Sequence, residues 1–171
     1  SKLQVAGGIQ MADDTDTASA DKVGTMRYRT ATDEAVPVTG TDLVTNGDFA
    51  TDTDWTKQNS GSTISGGKLN QASVPNGQNV FQTPPLTVGS IYSATFTISN
   101  YTAGGVRVLI GSTGATATKS SNGTFTVTAT AAGNTTLYIQ AIGTTTLSVD
   151  NISVLEVTEE DASYADMCMQ T

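Results

Sequence analysis

The sequence predicts an all-β chain whose main body is an antiparallel β-sandwich. The first observation is period-two alternation. Apolar and small polar residues alternate in Tyr92-Ser-Ala94-Thr-Phe96-Thr-Ile98, Val106-Arg-Val108-Leu-Ile110, Phe125-Thr-Val127-Thr-Ala129 and Leu137-Tyr-Ile139-Gln-Ala141. That pattern suits strands with one face on a core and the other in water. The second is punctuation. Turn-forming residues separate the segments at Asn100–Gly105, Gly111–Gly114, Ser120–Gly123 and Ala132–Asn134, and short strands at such spacing argue for a sandwich. The third is abundant threonine, whose β-branched side chain is well placed on an exposed strand face. No segment sustains a helical period.

Taken in order, residues 1–39 and 157–171 read as two halves of one short β-unit, with a Thr/Gly-rich module at 40–156 between them. The outer pieces hold about 55 residues and few large apolar side chains. They are expected to be marginal alone and to need the module or partner chains. Leu3, Val5, Ile9, Val23 and Met26 sit in segments too small to bury them, so they are expected to pack against copies of themselves. Inside the module, strands around Leu69 and Phe81 are joined by a loop, because residues 71–79 and Pro84-Pro85 are rich in breakers. The four alternating strands follow. In the last strand Leu147 and Val149 share one parity and Ile152 and Val154 the other. One added residue near Asp150-Asn151, a β-bulge, explains the switch. Thr39-Gly40-Thr41 and the Glu156–Asp161 stretch are the natural hinges.

Formal net charge is −8 and the chain contains no histidine. The charge is uneven: residues 156–171 carry five acids and no base. In residues 41–155, five aspartates face Lys57, Lys68, Arg107 and Lys119. No basic stripe exists for a phosphate backbone, so no nucleic-acid partner is expected. A near-neutral module is not built to capture its partner by long-range charge. No apolar run approaches membrane-spanning length and no signal-peptide pattern is present, so no membrane insertion is expected. The single cysteine, Cys168, lies between Met167 and Met169. It reads as a small buried hydrophobe rather than a nucleophile.

Without histidine, Ser-His-Asp, Cys-His and His-metal catalysis are excluded. A two-carboxylate glycosidase would have to use Asp42, Asp48, Asp52, Asp54 or Asp150, which mostly stand beside turn residues and read as structural. Asp13-Asp14 and Glu159-Glu160 read as solvated charges. Gly7-Gly8 has no following helix and reads as a turn or bulge.

Two resemblances enter here. Leu43-Val-Thr-Asn-Gly-Asp-Phe49, followed by Asp54-Trp55, resembles the opening of carbohydrate-binding-module-like jelly rolls of the galactose-binding-like superfamily. Leu147-Ser-Val-Asp-Asn-Ile-Ser-Val154 looks like their closing strand. The resemblance covers about 110 residues. It implies a jelly roll whose first and last strands lie side by side, as a passenger domain in a host loop requires. Where many relatives carry Glu after the Phe, this chain has Ala50, which weakens a transferred calcium site. The flanks Leu3–Gln10, Asp21–Arg29 and Ser163–Thr171 resemble repeat-type β-units of bacteriophage tail-fibre proteins, particularly of marine phages. In such units a "VGTxRYR" strand is followed quickly by a "YxxMCMQTG" strand; here the module separates them, and a Trp-containing finish is missing. This second resemblance implies a virion location, other virion proteins as partners and a homotrimer.

Site expectations follow from chemistry. Sugar recognition needs a flat apolar face and planar polar groups for hydroxyls. With Val106, Val108, Ile110, Leu137, Ile139 and Ala141 inward, Arg107, Leu109, Tyr138 and Gln140 fall on the outer face. Arg107, Tyr138 and Gln140 are therefore a candidate saccharide patch, with an ordinary wet sheet face as the plain alternative. Trp55 is a further candidate, with core packing as its alternative. Asp48 and Asp150 could approach each other and hold a structural calcium, or simply satisfy backbone donors. No other cofactor is expected. Aromatics are only 6% of the chain, so one copy should bind weakly and repeated copies gain by avidity. The expectation is a non-enzymatic phage virion protein, a tail fibre or related appendage, displaying a jelly-roll module that adheres to host-surface polysaccharide. The alternative is a purely structural decoration or spacer of the capsid or tail that binds no sugar. A third is a fragment of a polysaccharide depolymerase.

Overall fold

A computed structural model describes residues 26–32, 36–37, 40–158 and 161–167. Every regular element among the described residues is a strand: β1 Met26–Thr32, β2 Val36–Pro37, β3 Thr56–Lys57, β4 Ser62–Ile64, β5 Leu69–Val74, β6 Asn79–Gln82, β7 Ile91–Ile110, β8 Gly114–Ala115, β9 Gly123–Thr130, β10 Leu137–Thr158 and β11 Asp161–Met167. The described residues are all-β, and their ladders are antiparallel. It divides into two compact units, one of Ser1–Val36 with Glu159–Thr171 and one of Pro37–Thr158. In the first, β1 and β11 pair from Met26↔Met167 to Thr32↔Asp161. The Met-Arg-Tyr-Arg and Ser-Tyr-Ala-Asp-Met segments are therefore neighbours, although the second unit separates them in sequence. Leu3, Val5, Ile9, Val23 and Cys168 lie outside the described residues.

The second unit is organised by two long strands. β7 has 20 residues and β10 has 22, and they pair from Leu137↔Ile110 to Val157↔Ile91. A straight strand of that length would span about 66 Å, roughly twice the diameter of a domain of this size. The ribbon therefore has to bend. Its ladder is interrupted between Ile142 and Thr146, opposite Ala103–Gly105. Gly104 and Gly143 both take positive φ there, a conformation glycine adopts without steric cost. The fully buried Thr145 hydroxyl donates to the Gly105 carbonyl at 3.0 Å, satisfying an acceptor that the broken ladder leaves over. The turn expected at Asn100–Gly105 is thus a bend within a continuous strand. Asn100 and Gly104 supply its left-handed residues, so turn chemistry is spent on curvature rather than on reversal.

Each half of the ribbon gathers its own neighbours. Residues 137–140 of β10 pair β6, and β6 pairs β3. Residues 145–149 pair β5, and β5 pairs β4. On the β7 side, Leu109–Ile110 pair β8 and Ile91–Ile98 pair β9. The strand orders are β3-β6-β10-β7-β8 in one half and β4-β5-β10-β7-β9 in the other. Val106, Val108, Ile110, Leu137 and Ile139 from the first half join Phe96, Ile98, Leu69, Leu147 and Val149 from the second in one hydrophobic cluster. The inward positions of both halves thus share a core, as the period-two pattern requires.

The parity switch in the last strand has the expected cause. Between Asp150↔Thr97 and Ser153↔Thr95, β10 advances three residues against two on β7. Asn151 takes the extra step with φ 51°, which turns Ile152 and Val154 to the core, where they are 2% and 0% exposed. Residues 42–47 run beside this bulge in the opposite direction. Leu43 N donates to Val154 O at 3.0 Å and Ile152 N to Gly47 O at 2.9 Å. A side chain at Gly47 would collide with the Ile152 carbonyl oxygen, so the close approach demands glycine. Gln82 fixes the same segment. Its amide accepts from Thr45 N at 3.0 Å and donates to Thr45 O at 3.1 Å, doing what a neighbouring strand's backbone would do.

Candidate functional site

The outer face of β6, β10 and β7 carries two side-chain rows that cross the strands side by side. Cross-strand pairing builds them, because directly opposed residues point to the same face. Tyr138 stands opposite Phe81 on one side and Leu109 on the other, and Phe81 stands opposite Thr56 of β3. Two residues along, Gln140 stands opposite Asn79 and Arg107. One row is therefore aromatic and apolar and the other consists of amides and a guanidinium.

In the aromatic row, the Phe81 and Tyr138 rings are 5.6 Å apart between centroids and tilted by 41°, a favourable offset geometry. Both are half-buried. Asn134 donates its amide hydrogen to the Tyr138 hydroxyl at 3.0 Å, and the Asn134 carbonyl accepts from Thr136 N at 3.0 Å. The phenol is thus held from the loop before β10. Leu109 shares the row but is 6% exposed, so it contributes packing and no open surface.

The polar row is one hydrogen-bonded chain. Arg107 Nε donates to Gln140 Oε1 at 2.9 Å, Gln140 Nε2 to Asn79 Oδ1 at 3.1 Å, and Asn79 Nδ2 to Gln58 Oε1 at 2.9 Å. Gln58 follows β3 and its backbone N bonds Asn79 O at 3.0 Å. Such a chain fixes each planar group in orientation. Among the described residues Arg107 makes no ion pair; the pair present is Lys57 with Asp52.

Of the residues expected to bind sugar, the structure brings Arg107, Tyr138 and Gln140 together and sets Trp55 apart. Trp55 is 6% exposed and packs on the fully buried Phe49, with ring centroids 5.2 Å apart. Its indole N–H donates to Asn46 O at 3.0 Å. A ring so enclosed offers no face to a ligand, so Trp55 takes its core alternative. The reason is local: Asn46 holds residues 51–53 through bonds from Nδ2 to Thr51 O at 2.8 Å and Thr53 O at 3.0 Å, and this loop delivers Trp55 inward.

The structure does not place Asp48 and Asp150 in one cleft. Asp48 lines a cleft of about 290 Å³ with Asp42, Asn46, Asn151 and Ser153, and Asp150 does not line it. The Asp48 carboxylate accepts from Ala50 N at 3.3 Å and that of Asp150 from Asn151 N at 2.7 Å. Asp42 Oδ1 accepts from both Val44 N and Val154 N. Calcium wants six to eight oxygens converging on one point. Here the carboxylates accept from backbone donors. Among the described residues no three His, Cys, Asp or Glu side chains converge as a metal site.

Sequence reasoning missed Phe81, Asn79 and Gln58. The signal was present but inverted: in Asn79-Val-Phe-Gln82 the inward pair is Val80 and Gln82 and the outward pair is Asn79 and Phe81. An inward glutamine beside an outward phenylalanine disguises the phase. No protein-family model matches the chain, and comparison with curated proteins gives no match.

Proposed function

We propose that the chain is a non-enzymatic virion component, part of a phage tail fibre or related appendage, and that its Pro37–Thr158 unit is a jelly-roll module adhering to host-surface glycan. The observation that carries the adhesive reading is the pair of rows on β6, β10 and β7. Phe81 and Tyr138 offer apolar rings for the C–H face of a sugar, and the Arg107-Gln140-Asn79-Gln58 chain offers oriented planar groups for its polar edge. Carbohydrate sites combine these two elements at close range. The appendage reading is supported by the pairing of β1 with β11, which makes neighbours of the two fibre-like motifs that the module separates in sequence. In this reading the flanking unit assembles as a homotrimer and contacts other virion proteins, and three copies of a weak site act together.

Glycan-array binding by the full chain tests the proposal. Binding that is lost in Tyr138→Ala and Arg107→Ala, while circular dichroism stays that of a β-protein, is the expected result. An electron-microscopy map of the assembly in which this face is covered by a neighbouring virion protein would replace adhesion with a decoration or spacer role.

A further inference from the structure

Resting on the reading of this face as a glycan site, we propose that its ligand is an acidic polysaccharide whose uronic-acid carboxylate is held by Arg107. The inference comes from counting what the polar row has left to offer. A guanidinium can only donate, so Gln140 must turn its oxygen to Arg107 Nε. Its amide nitrogen then faces Asn79 Oδ1, and Asn79 in turn must present its nitrogen to Gln58 Oε1. The arginine sets the direction of every amide in the chain.

That direction consumes acceptors. Gln58 Oε1 accepts from both the backbone N and the side-chain Nδ2 of Asn79. Gln140 Oε1 and Asn79 Oδ1 each already receive a hydrogen. Asn79 Nδ2 spends its second hydrogen on Gly77 O at 3.2 Å. What remains for a ligand is mostly donors: the terminal nitrogens of Arg107, the second hydrogen of Gln140 and the amide of Gln58. A neutral sugar hydroxyl both donates and accepts, whereas a carboxylate only accepts. The row therefore suits an anionic oxygen group better than a ring of hydroxyls.

Geometry narrows the class. Arg107 stands alone in the row without a carboxylate partner among the described residues, and its planar fork matches a planar carboxylate bidentately. The row crosses from beside β3 through β6 and β10 to β7. At ~4.8 Å between strands that is about 14 Å, room for roughly three pyranose rings laid across the strands, with the carboxylated one over β7. Phe81 and Tyr138 lie in the adjacent row, about 7 Å along the strands, beside the same chain.

Affinity electrophoresis of the full chain through gels holding polygalacturonate, a neutral β-glucan or a sulfated galactan tests this. The expected result is retardation by polygalacturonate, with affinity roughly tenfold to hundredfold above the neutral polymer, the scale of one charge-assisted contact. Arg107→Gln should erase that preference. Lys119→Gln makes the same charge change on a residue placed over Phe125 of β9, and should keep it. Equal retardation by the neutral polymer, unchanged in Arg107→Gln but lost in Tyr138→Ala, overturns the acidic assignment and leaves a glycan site on this face standing. Stronger retardation by the sulfated polymer overturns the uronate. No retardation by any polymer overturns the inference together with the glycan reading beneath it.

Discussion

Replacing Gln71 by methionine should stabilise the protein. Gln71 lies on β5, opposite Ser62 and Leu147, and is 3% exposed. Neither its amide oxygen nor its amide nitrogen has a hydrogen-bond partner among the described residues. An amide buried without partners costs about 1–3 kcal/mol relative to water. Methionine has nearly the same length and volume and three flexible torsions, so the change neither opens a cavity nor overpacks the core. Removing the desolvation cost should therefore yield a gain of about 1–2 kcal/mol. For a unit of this size that corresponds to a rise in Tm of roughly 3–8 °C. Urea unfolding followed by tryptophan fluorescence reads it, since Trp55 is in the core. The midpoint should rise with an unchanged slope, because the surface exposed on unfolding is the same. A loss of 1 kcal/mol or more would refute the reasoning, because it would mean that the amide is satisfied by bound water.

Four further outcomes follow from the same structure. Gly47→Ala drives a methyl group into the Ile152 carbonyl and should cost about 2–4 kcal/mol by urea unfolding. At the bulge, Asn151→Val places a β-branched residue at φ 51° and should cost roughly 1–2 kcal/mol, while Asn151→Gly stays near wild type; equal effects would deny the bulge its left-handed residue. Trp55→Ala should lose about 3–5 kcal/mol and much of its cooperative melt. Tyr138→Ala should melt cooperatively yet lose glycan retention, which separates core aromatic from surface aromatic.

Much of this architecture is legible in the chain because one face of each strand is buried. Alternation in Val106–Ile110 and Leu137–Ala141 fixes which residues point outward, and the pairing of β10 with β7 then places Arg107, Tyr138 and Gln140 on one face. The parity change from Val149 to Ile152 is equally readable, since a bulge leaves no other trace in a strand that stays apolar. Two features were hidden for physical reasons. Asn100–Gly105 has the composition of a turn, and the same left-handed residues serve a bend inside a long strand. Asn79–Gln82 is only four residues long, too short for periodicity to show, and Gln82 points inward because it pairs the Thr45 backbone. Sequence cannot tell which aromatic a loop turns inward, and of its two readings Trp55 takes core packing. The bonds of Asn46 to residues 51–53 decide that.

The most direct test of the adhesive face is a nuclear magnetic resonance titration of the labelled full chain with polygalacturonate oligomers. The account predicts that the side-chain amide signals of Gln58, Asn79 and Gln140 and the backbone signals of Phe81, Arg107 and Tyr138 shift together. Signals of the paired threonines Thr95–Thr126 and Thr97–Thr124 on β7 and β9 should stay in place. Shifts confined to the threonine strands, with the Arg107-Gln140-Asn79 row unmoved, would contradict it.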